Sequence, residues 1–239
     1  MDLNQAVVMV TGASSGIGAA TAVAAAADGA HVVLLARRDE QLRRLAEEID
    51  RGPGDALAVR CDVTDPEQIS AAVHAALDAY GRIDVLVNNA GQGLQAGIEE
   101  IDPDDFEAVL KLNLVAPLRM MQAVVPTMRA QRAGSIVNIS SGITLKVIPG
   151  SGAYAGSKAG LNQLSAIARA ELATAGITVS TVYPFITATE FLDSIRAGHE
   201  AAAALERDHG PQPDSPERVA EAIIDVIRTG VEQVSLEPA

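Results

Sequence analysis

The sequence predicts an α/β protein, a single domain in which a parallel sheet of about seven strands is covered by helices on both faces. Three observations carry that prediction. Short Val- and Ile-rich runs alternate with longer helical stretches along the whole chain, the pattern of repeated βαβ units. The short runs are apolar throughout, as strands buried on both faces are. No linker, composition shift or repeat divides the 239 residues, and a chain of that length can bury one large core.

Each element has a local reason. Residues 6–10 are a Val-rich run bounded by Gly12 and read as a buried strand. Residues 19–28 are an Ala-rich helix closed by Gly29, and 31–35 are the next strand. Asp39 offers an N-cap for a helix to about Asp50, which Arg51-Gly52-Pro53-Gly54 stops. Residues 57–61 are a third strand. Residues 66–80 are a helix with Pro66 in its first turn and Gly81 after it, and 83–88 are a fourth strand. One long helix is expected from Pro103 to about Arg132, then a fifth strand at 135–140. A second long helix at 152–175 stops at Gly176 and leads into a sixth strand at 177–183. Residues 187–208 are Ala-rich and helix-prone, and 210–216 are a Pro-rich break. Ser215 offers an N-cap for a helix to Thr229, and 233–236 are a short last strand.

Composition excludes several function classes. Aromatics make up only 3%, too few for the stacking platforms that bind single-stranded nucleic acid. A net charge of −13 argues against binding a phosphate backbone or an anionic membrane surface. Cys61 is the only cysteine, so no intrachain disulfide or Cys-based metal site forms, and the four histidines show no metal-ligand spacing. No basic leader and no apolar run long enough to span a membrane are read, so a cytoplasmic protein is expected.

Thr11-Gly12-Ala13-Ser14-Ser15-Gly16-Ile17-Gly18 joins the first strand to the first helix. Glycines let the backbone turn tightly and approach a pyrophosphate, and the helix N-terminus adds N–H groups and a positive dipole end. The spacing is Gly-x-x-x-Gly-x-Gly, which is not the usual dinucleotide fingerprint. The bland reading is a tight turn needed for packing alone. With the loop in this context the sheet is expected to be a Rossmann fold binding a dinucleotide. A carboxylate at the end of the second strand would take the ribose 2′-OH of NAD. Ala36 stands there instead, followed by Arg37 and Arg38. Guanidinium suits a 2′-phosphate, so NADP is preferred over NAD.

The chain has three tyrosines and three lysines, and one of each forms Tyr154-Ala155-Gly156-Ser157-Lys158. On a helix, i and i+4 share a face, so the phenol and the ammonium are neighbours. A cation beside a phenol favours phenolate, which makes a usable acid/base near neutral pH. The bland reading is a surface helix with an incidental Tyr and Lys.

The chain resembles the short-chain dehydrogenase/reductase family in its compact form, over about residues 5–190. The glycine loop, Asp62-Val63, Asn88-Asn89-Ala90-Gly91, Asn113, Ile139-Ser140-Ser141, Tyr154-x-x-x-Lys158 and Pro184-x-x-x-x-Thr189 carry the resemblance, in order. It implies that Asp62 and Val63 contact the adenine, and that Asn88 to Gly91 brace the sheet and flank a ribose. Ser141, at the family's usual distance from the tyrosine, would orient the substrate carbonyl. Ser140 faces the other way, since adjacent strand residues alternate. Tyr154 would be the general acid/base and Lys158 would bind the nicotinamide ribose. Asn113 completes the tetrad. Pro117, four residues on, has no N–H, which frees the carbonyl of Asn113 to hold a water that relays protons to Lys158; the alternative is that Pro117 only kinks the helix. Pro184, Thr187 and Thr189 would meet the carboxamide. The family's usual Gly after that Pro is Phe185 here, so either the loop bends differently or Phe185 lines the pocket. Homodimers or homotetramers through the two long helices are implied as well.

Gln92, Leu94, Gln95, Ile143, Leu145, Val147, Ile148, Phe185, Leu192 and Ile195 are candidate pocket residues, with Lys146 pointing outward. They suit a neutral, fairly apolar ketone or secondary alcohol, and 187–216 would form a lid. The expected activity is that of an NADP-dependent carbonyl reductase or alcohol dehydrogenase. The alternatives are a non-catalytic NADP-sensing regulator, and a 3-oxoacyl-carrier-protein reductase in which Arg129 and Arg132 meet an acidic carrier. Those arginines equally complement a helix C-terminus.

Overall fold

The computed structural model describes residues 1–209 and 212–236. Its strands are β1 (Val7–Thr11), β2 (His31–Ala36), β3 (Asp55–Arg60), β4 (Val85–Asn88), β5 (Gly134–Ile139), β6 (Ile177–Tyr183) and β7 (Gln233–Ser235). They form one seven-stranded sheet in the order β3-β2-β1-β4-β5-β6-β7, with every pair parallel. The α-helices are α1 (Gly16–Ala27), α2 (Asp39–Ile49), α3 (Pro66–Tyr80), α4 (Pro103–Leu110), α5 (Ala116–Gln131), α6 (Gly152–Leu172), α7 (His199–His209) and α8 (Pro216–Thr229).

The apolar strand runs are explained by two cores. Val8, Val10, Val32 and Leu34 point to one face, where α1, α2 and α8 cover them. Val7, Met9, Val33 and Leu35 point to the other, under α3 and α5. Because successive strand residues alternate, each face takes every second side chain. Truncating Leu34 or Leu86, both fully buried, to Ala is expected to cost about 2–5 kcal/mol each. The small residues of α1 let it pack closely, with Ala22 and Ala25 fully buried. The chain leaves β1 toward β2 and β3, then crosses back to β4 on the other side. That reversal opens a crevice at the carboxyl ends of β1 and β4.

Several boundaries differ from expectation. Asp39 is the first residue of α2, and Arg38 takes the N-cap position without a side-chain cap bond. Cys61 follows β3 instead of ending it, and Ile83 and Asp84 precede β4, where the Asp84 carboxylate accepts from Val7 N at 2.9 Å and pairs with Arg82. The long helix of 103–132 is α4 and α5 joined by a π-helical segment, Lys111–Val115, closed by Ala116 N donating to Lys111 O. Pro117 lacks the N–H that an unbroken α-helix needs at that turn. The stretch Pro103–Gln131 is, by length and composition, apolar enough to cross a bilayer, against expectation, but here Met120, Met121, Val124 and Met128 are buried in the core. The second long helix ends at Leu172 and closes in a 3-10 turn, Ala173–Ala175.

Residues 187–208 are not one helix. Thr187 bridges to Asp214, Ala188 N donates to Asp214 O at 2.9 Å, and a 3-10 turn covers Leu192–Ser194. α7 begins only after Gly198, whose φ of +81° and lack of a Cβ let it lie against the backbone of Gln95. Tertiary bonds thus override the Ala-rich composition. Gly210 and Pro211, in the expected Pro-rich break, lie outside the described residues. Ser215 caps α8 as expected, accepting from Arg218 N at 3.2 Å.

Candidate active site

The carboxyl ends of β1, β4, β5 and β6 border an elongated cleft of about 1170 Å3, which runs from the glycine loop to Tyr154 and Phe191. At one end Gly12 (φ +67°) and Gly16 (φ +55°) adopt left-handed backbone that other residues resist. Asn89 Nδ2 straps the loop by donating to Thr11 O at 2.9 Å and Gly12 O at 3.3 Å. Thr11 Oγ1 accepts from Asn89 N at 2.9 Å and Ala90 N at 3.0 Å, which ties the ends of β1 and β4 together. Ser15, the N-cap of α1, makes no side-chain cap bond, so the first N–H groups of the helix remain available to an anion. Gly12, Ser14, Ser15, Gly16 and Ile17 line the cleft. Gly18 does not: it is buried, and a Cβ there would meet Gly12 O and, at 2.5 Å, Asn89 Nδ2. Its lack of a Cβ lets α1 pack closely against the loop.

Arg38, not Arg37, is the arginine held over this loop. Its Nε donates to Ser14 Oγ at 3.0 Å, Nη2 to Ser15 Oγ at 2.5 Å and Nη1 to Glu190 Oε2 at 2.9 Å. Arg37 lies on the cleft wall, exposed, with no polar side-chain partner among the described residues. Asp62 and Val63 line the same end. Asp62 Oδ1 accepts from Thr64 N at 2.9 Å and Thr64 Oγ1 at 2.8 Å, so the residue also makes the local turn. An uncapped helix end, glycine backbone and a guanidinium along one long cleft fit an extended dinucleotide.

At the other end, Ser141 closes β5 and caps a 3-10 turn, Gly142–Leu145, accepting from Ile143 N at 3.2 Å. Ser140 turns away and bonds Asn162, as strand alternation requires. Tyr154 sits in the first turn of α6 and lines the cleft with Ser141, with the Phe191 ring 5.7 Å away. Lys158, only 4% exposed, donates to Ile139 O at 2.8 Å and lies 6.0 Å from the Tyr154 ring centre. Burial pushes the Tyr154 phenol up to about 12, and the Ser141 hydroxyl pulls the other way. Burial also pushes the Lys158 ammonium down to about 8. The lysine was expected to favour phenolate. In this geometry desolvation outweighs it, and the phenol is held protonated at neutral pH.

Asn113 is fully buried behind the cleft wall. It forms a reciprocal pair with the main chain of Gln92, accepting from N at 3.0 Å and donating to O at 2.8 Å, and donates to Ser157 Oγ at 3.0 Å. Its side chain clamps the loop after β4 to α6. Gly91 fits between, since a Cβ there would stand 3.2 Å from Asn113 Oδ1 and 3.4 Å from Lys158 Nζ.

Pro184, Phe185, Thr187, Thr189 and Leu192 form the opposite wall, and Ala90, Gly91, Gln92, Leu94, Gln95, Ile143, Val147, Ile148 and Ile195 also line the cleft. Phe185 packs on Gly142, where a Cβ would stand 2.6 Å from its ring, so the glycine missing at 185 has a counterpart at 142. Lys146 was expected to point outward; its Nζ lies 5.2 Å from the Phe185 ring centre. Leu145 is exposed and outside the cleft wall. Sequence reasoning missed Ser157, Asn162, Glu190 and Phe191. Ser157 lies within the Tyr154–Lys158 motif, which does not signal its bond to Asn113, and the other three lie in no motif that signals a contact across the fold.

The comparisons with known proteins agree with this architecture. The short chain dehydrogenase family model matches residues 6–200. The 3-oxoacyl-[acyl-carrier-protein] reductase of Thermotoga maritima is 38% identical over 224 residues, 94% of this chain and 91% of its own length. A short-chain dehydrogenase/reductase from Burkholderia phymatum, solved with NAD, superposes with a TM-score of 0.92 at 26% identity, over 98% of this chain and 90% of that one. A metagenomic short-chain oxidoreductase solved with NADP gives 0.83 at 32% identity, over 100% and 99% of the two chains. The chain belongs to the short-chain dehydrogenase/reductase family of oxidoreductases.

Proposed function

We propose that the protein is an NADP(H)-dependent oxidoreductase that interconverts a fairly apolar ketone and its secondary alcohol. One observation carries the reading: Ser141 and Tyr154, half-buried, and the buried Lys158 close one end of a cleft whose other end holds the glycine loop and Arg38. The glycine loop and the start of α1 would hold the pyrophosphate, Arg38 the 2′-phosphate, Lys158 the nicotinamide ribose, and Thr187 and Thr189 the carboxamide. When bound, the nicotinamide supplies or accepts the hydride.

The residues of this chain do the proton chemistry. In reduction, Ser141 fixes the carbonyl oxygen beside the phenol, and Tyr154 gives that oxygen its proton as negative charge develops there. A phenol held near 12 is protonated at neutral pH and so is ready as an acid. Lys158, with a pKa near 8, is acidic enough to return the proton to Tyr154, and a water on the main-chain carbonyl of Asn113 would resupply it. In oxidation the proton moves the opposite way. Apolar side chains of Ile143, Phe185, Phe191 and Leu192 keep water from the reacting atoms.

Tyr154→Phe tests this directly. Turnover of a ketone panel should fall by about 10²–10⁴-fold, while NADPH still binds within about twofold. Retained turnover would sink the assignment of the acid. NADPH binding by the unaltered protein with no turnover of any carbonyl would instead favour the NADP-sensing regulator. The Thermotoga relative supports a narrower reading, reduction of a 3-oxoacyl chain on a carrier, and a carrier-bound substrate belongs in the panel.

A further inference from the structure

Glu190 joins the two ends of the cleft. Its predecessor Thr189 packs on the glycine loop, where a Cβ at Gly16 would stand 2.9 Å from Thr189 Cγ2. Its successor Phe191 stands over Tyr154, with ring centres 5.7 Å apart. Glu190 Oε2 accepts from Arg38 Nη1 at 2.9 Å, while Nε and Nη2 of the same guanidinium are taken by Ser14 and Ser15. Every nitrogen of the Arg38 fork is therefore engaged by this chain. The partners are the two loop serines and one carboxylate, and only the carboxylate carries charge.

We infer that Glu190 is a specificity-determining residue: an internal competitor for Arg38 that sets how strongly the protein prefers 2′-phosphorylated nucleotides. The inference rests on the reading that Arg38 receives the 2′-phosphate. A phosphate dianion is the better acceptor for the guanidinium and displaces the carboxylate, which cannot stay beside it without repulsion. A plain ribose hydroxyl carries no charge with which to displace Glu190, so the ion pair persists when it binds. Glu190 thus lowers the advantage of the phosphorylated nucleotide and leaves the unphosphorylated one untouched. The pair is exposed on both sides, 45% and 61%, so the effect is modest.

Calorimetric titration with 2′,5′-ADP and 5′-AMP tests this without involving Tyr154, since neither probe carries a nicotinamide. Glu190→Ala should tighten 2′,5′-ADP by about threefold to fivefold and change 5′-AMP by less than about 1.5-fold. Glu190→Gln keeps an acceptor and loses the charge, and should give a smaller gain of the same sign. Arg38→Ala should weaken 2′,5′-ADP by roughly tenfold or more and abolish the gain from Glu190→Ala in the double variant. If Arg38→Ala weakens 2′,5′-ADP while Glu190→Ala leaves it unchanged or weakens it, competition is overturned and the 2′-phosphate reading stands. If Arg38→Ala has no effect on 2′,5′-ADP, both fall together.

Discussion

The floor of the cleft and the wall across from it are held in different ways. The floor is β5 and α6, stitched by buried polar bonds. Asn138 accepts from Asn88 Nδ2 at 2.8 Å and donates to Ser165 Oγ at 2.8 Å, and Asn162 bonds Ser140 and Thr144. Lys158 adds its bond to Ile139 O at 2.8 Å. The wall, residues 184–198, has no ladder among the described residues beyond a single bridge at Thr187. It leans on scattered bonds: Arg196 N to Gly93 O at 2.8 Å, Gln95 N to Ala197 O at 3.0 Å, and the exposed Arg196–Asp105 pair. Groups that must stay within fractions of an ångström are on paired strands and a long helix. Groups that meet variable substrate are on loops.

The largest effect should come from breaking the floor at its buried charge. Lys158→Met should lower turnover about a hundredfold or more. It should also make the fold less dependent on pH. The ammonium is held near 8 against an ordinary 10.5, so between those values the unfolded chain binds more protons than the folded one. Stability therefore rises with pH across that window, by on the order of 2 kcal/mol between pH 8 and 10. Tyr154, held near 12, works against this above about pH 10, because there the folded state keeps a proton that the unfolded state loses. Thermal melts of both proteins from pH 7 to 10 check the sign: the variant should lack the wild-type rise. A parallel pair of curves would mean that Lys158 is not strained by burial.

Next in size is the stitching itself. Asn138→Leu removes the 2.8 Å bonds of Asn88 Nδ2 and Ser165 Oγ in a buried site, leaving Ser165 its bond to Leu161 O and Asn88 a long one to Pro117 O, at a cost of about 1–3 kcal/mol. Turnover of the folded fraction should fall with it, because α6 carries both Tyr154 and Lys158. Full activity in a destabilised variant would show that the network serves the fold alone. A comparable polar change in the wall is expected to move KM and leave the melting curve almost unchanged.

The same contrast sets what was legible in the sequence. The glycine loop and the Tyr154–Lys158 pair are fixed by short spacings on regular elements, whereas the part of Ser141 and the meeting of all of them at one site were implied by the resemblance to the family. Pro117 signalled a disturbed helix, but not that the turn would widen into a π segment that buries Asn113 behind the wall. The helix expected across 187–208 failed because Asp214, far along the chain, takes the backbone bonds of Ile186 and Ala188. The fit of Phe185 to Gly142 and the reach of Arg38 to Glu190 are likewise properties of the assembled fold. No local pattern encodes a contact between residues 152 positions apart.

A smaller effect is expected at the aromatic residue over the reacting group. Phe191→Ala removes the ring that tilts at 51° toward Tyr154 while leaving Tyr154, Ser141 and Lys158 in place. KM for apolar ketones should rise about threefold to tenfold, as expected for losing one apolar contact of roughly 1 kcal/mol. kcat should change less, because the proton donor has not moved. A fall in kcat with KM unchanged would place Phe191 on the side of the floor.

The smallest effect separates substrate contact from stability altogether. Val147 is fully exposed at the rim of the cleft and can contribute little to folding. Val147→Ser should leave stability within about 0.5 kcal/mol, as surface changes usually do. If the rim meets the far end of an apolar substrate, KM should rise for long ketones and stay constant for acetone-sized ones, in steady-state assays of a chain-length series. The dependence on length is the informative part. A uniform rise would mean that the substitution disturbs the turn after Ser141, and so acts through the floor rather than the mouth.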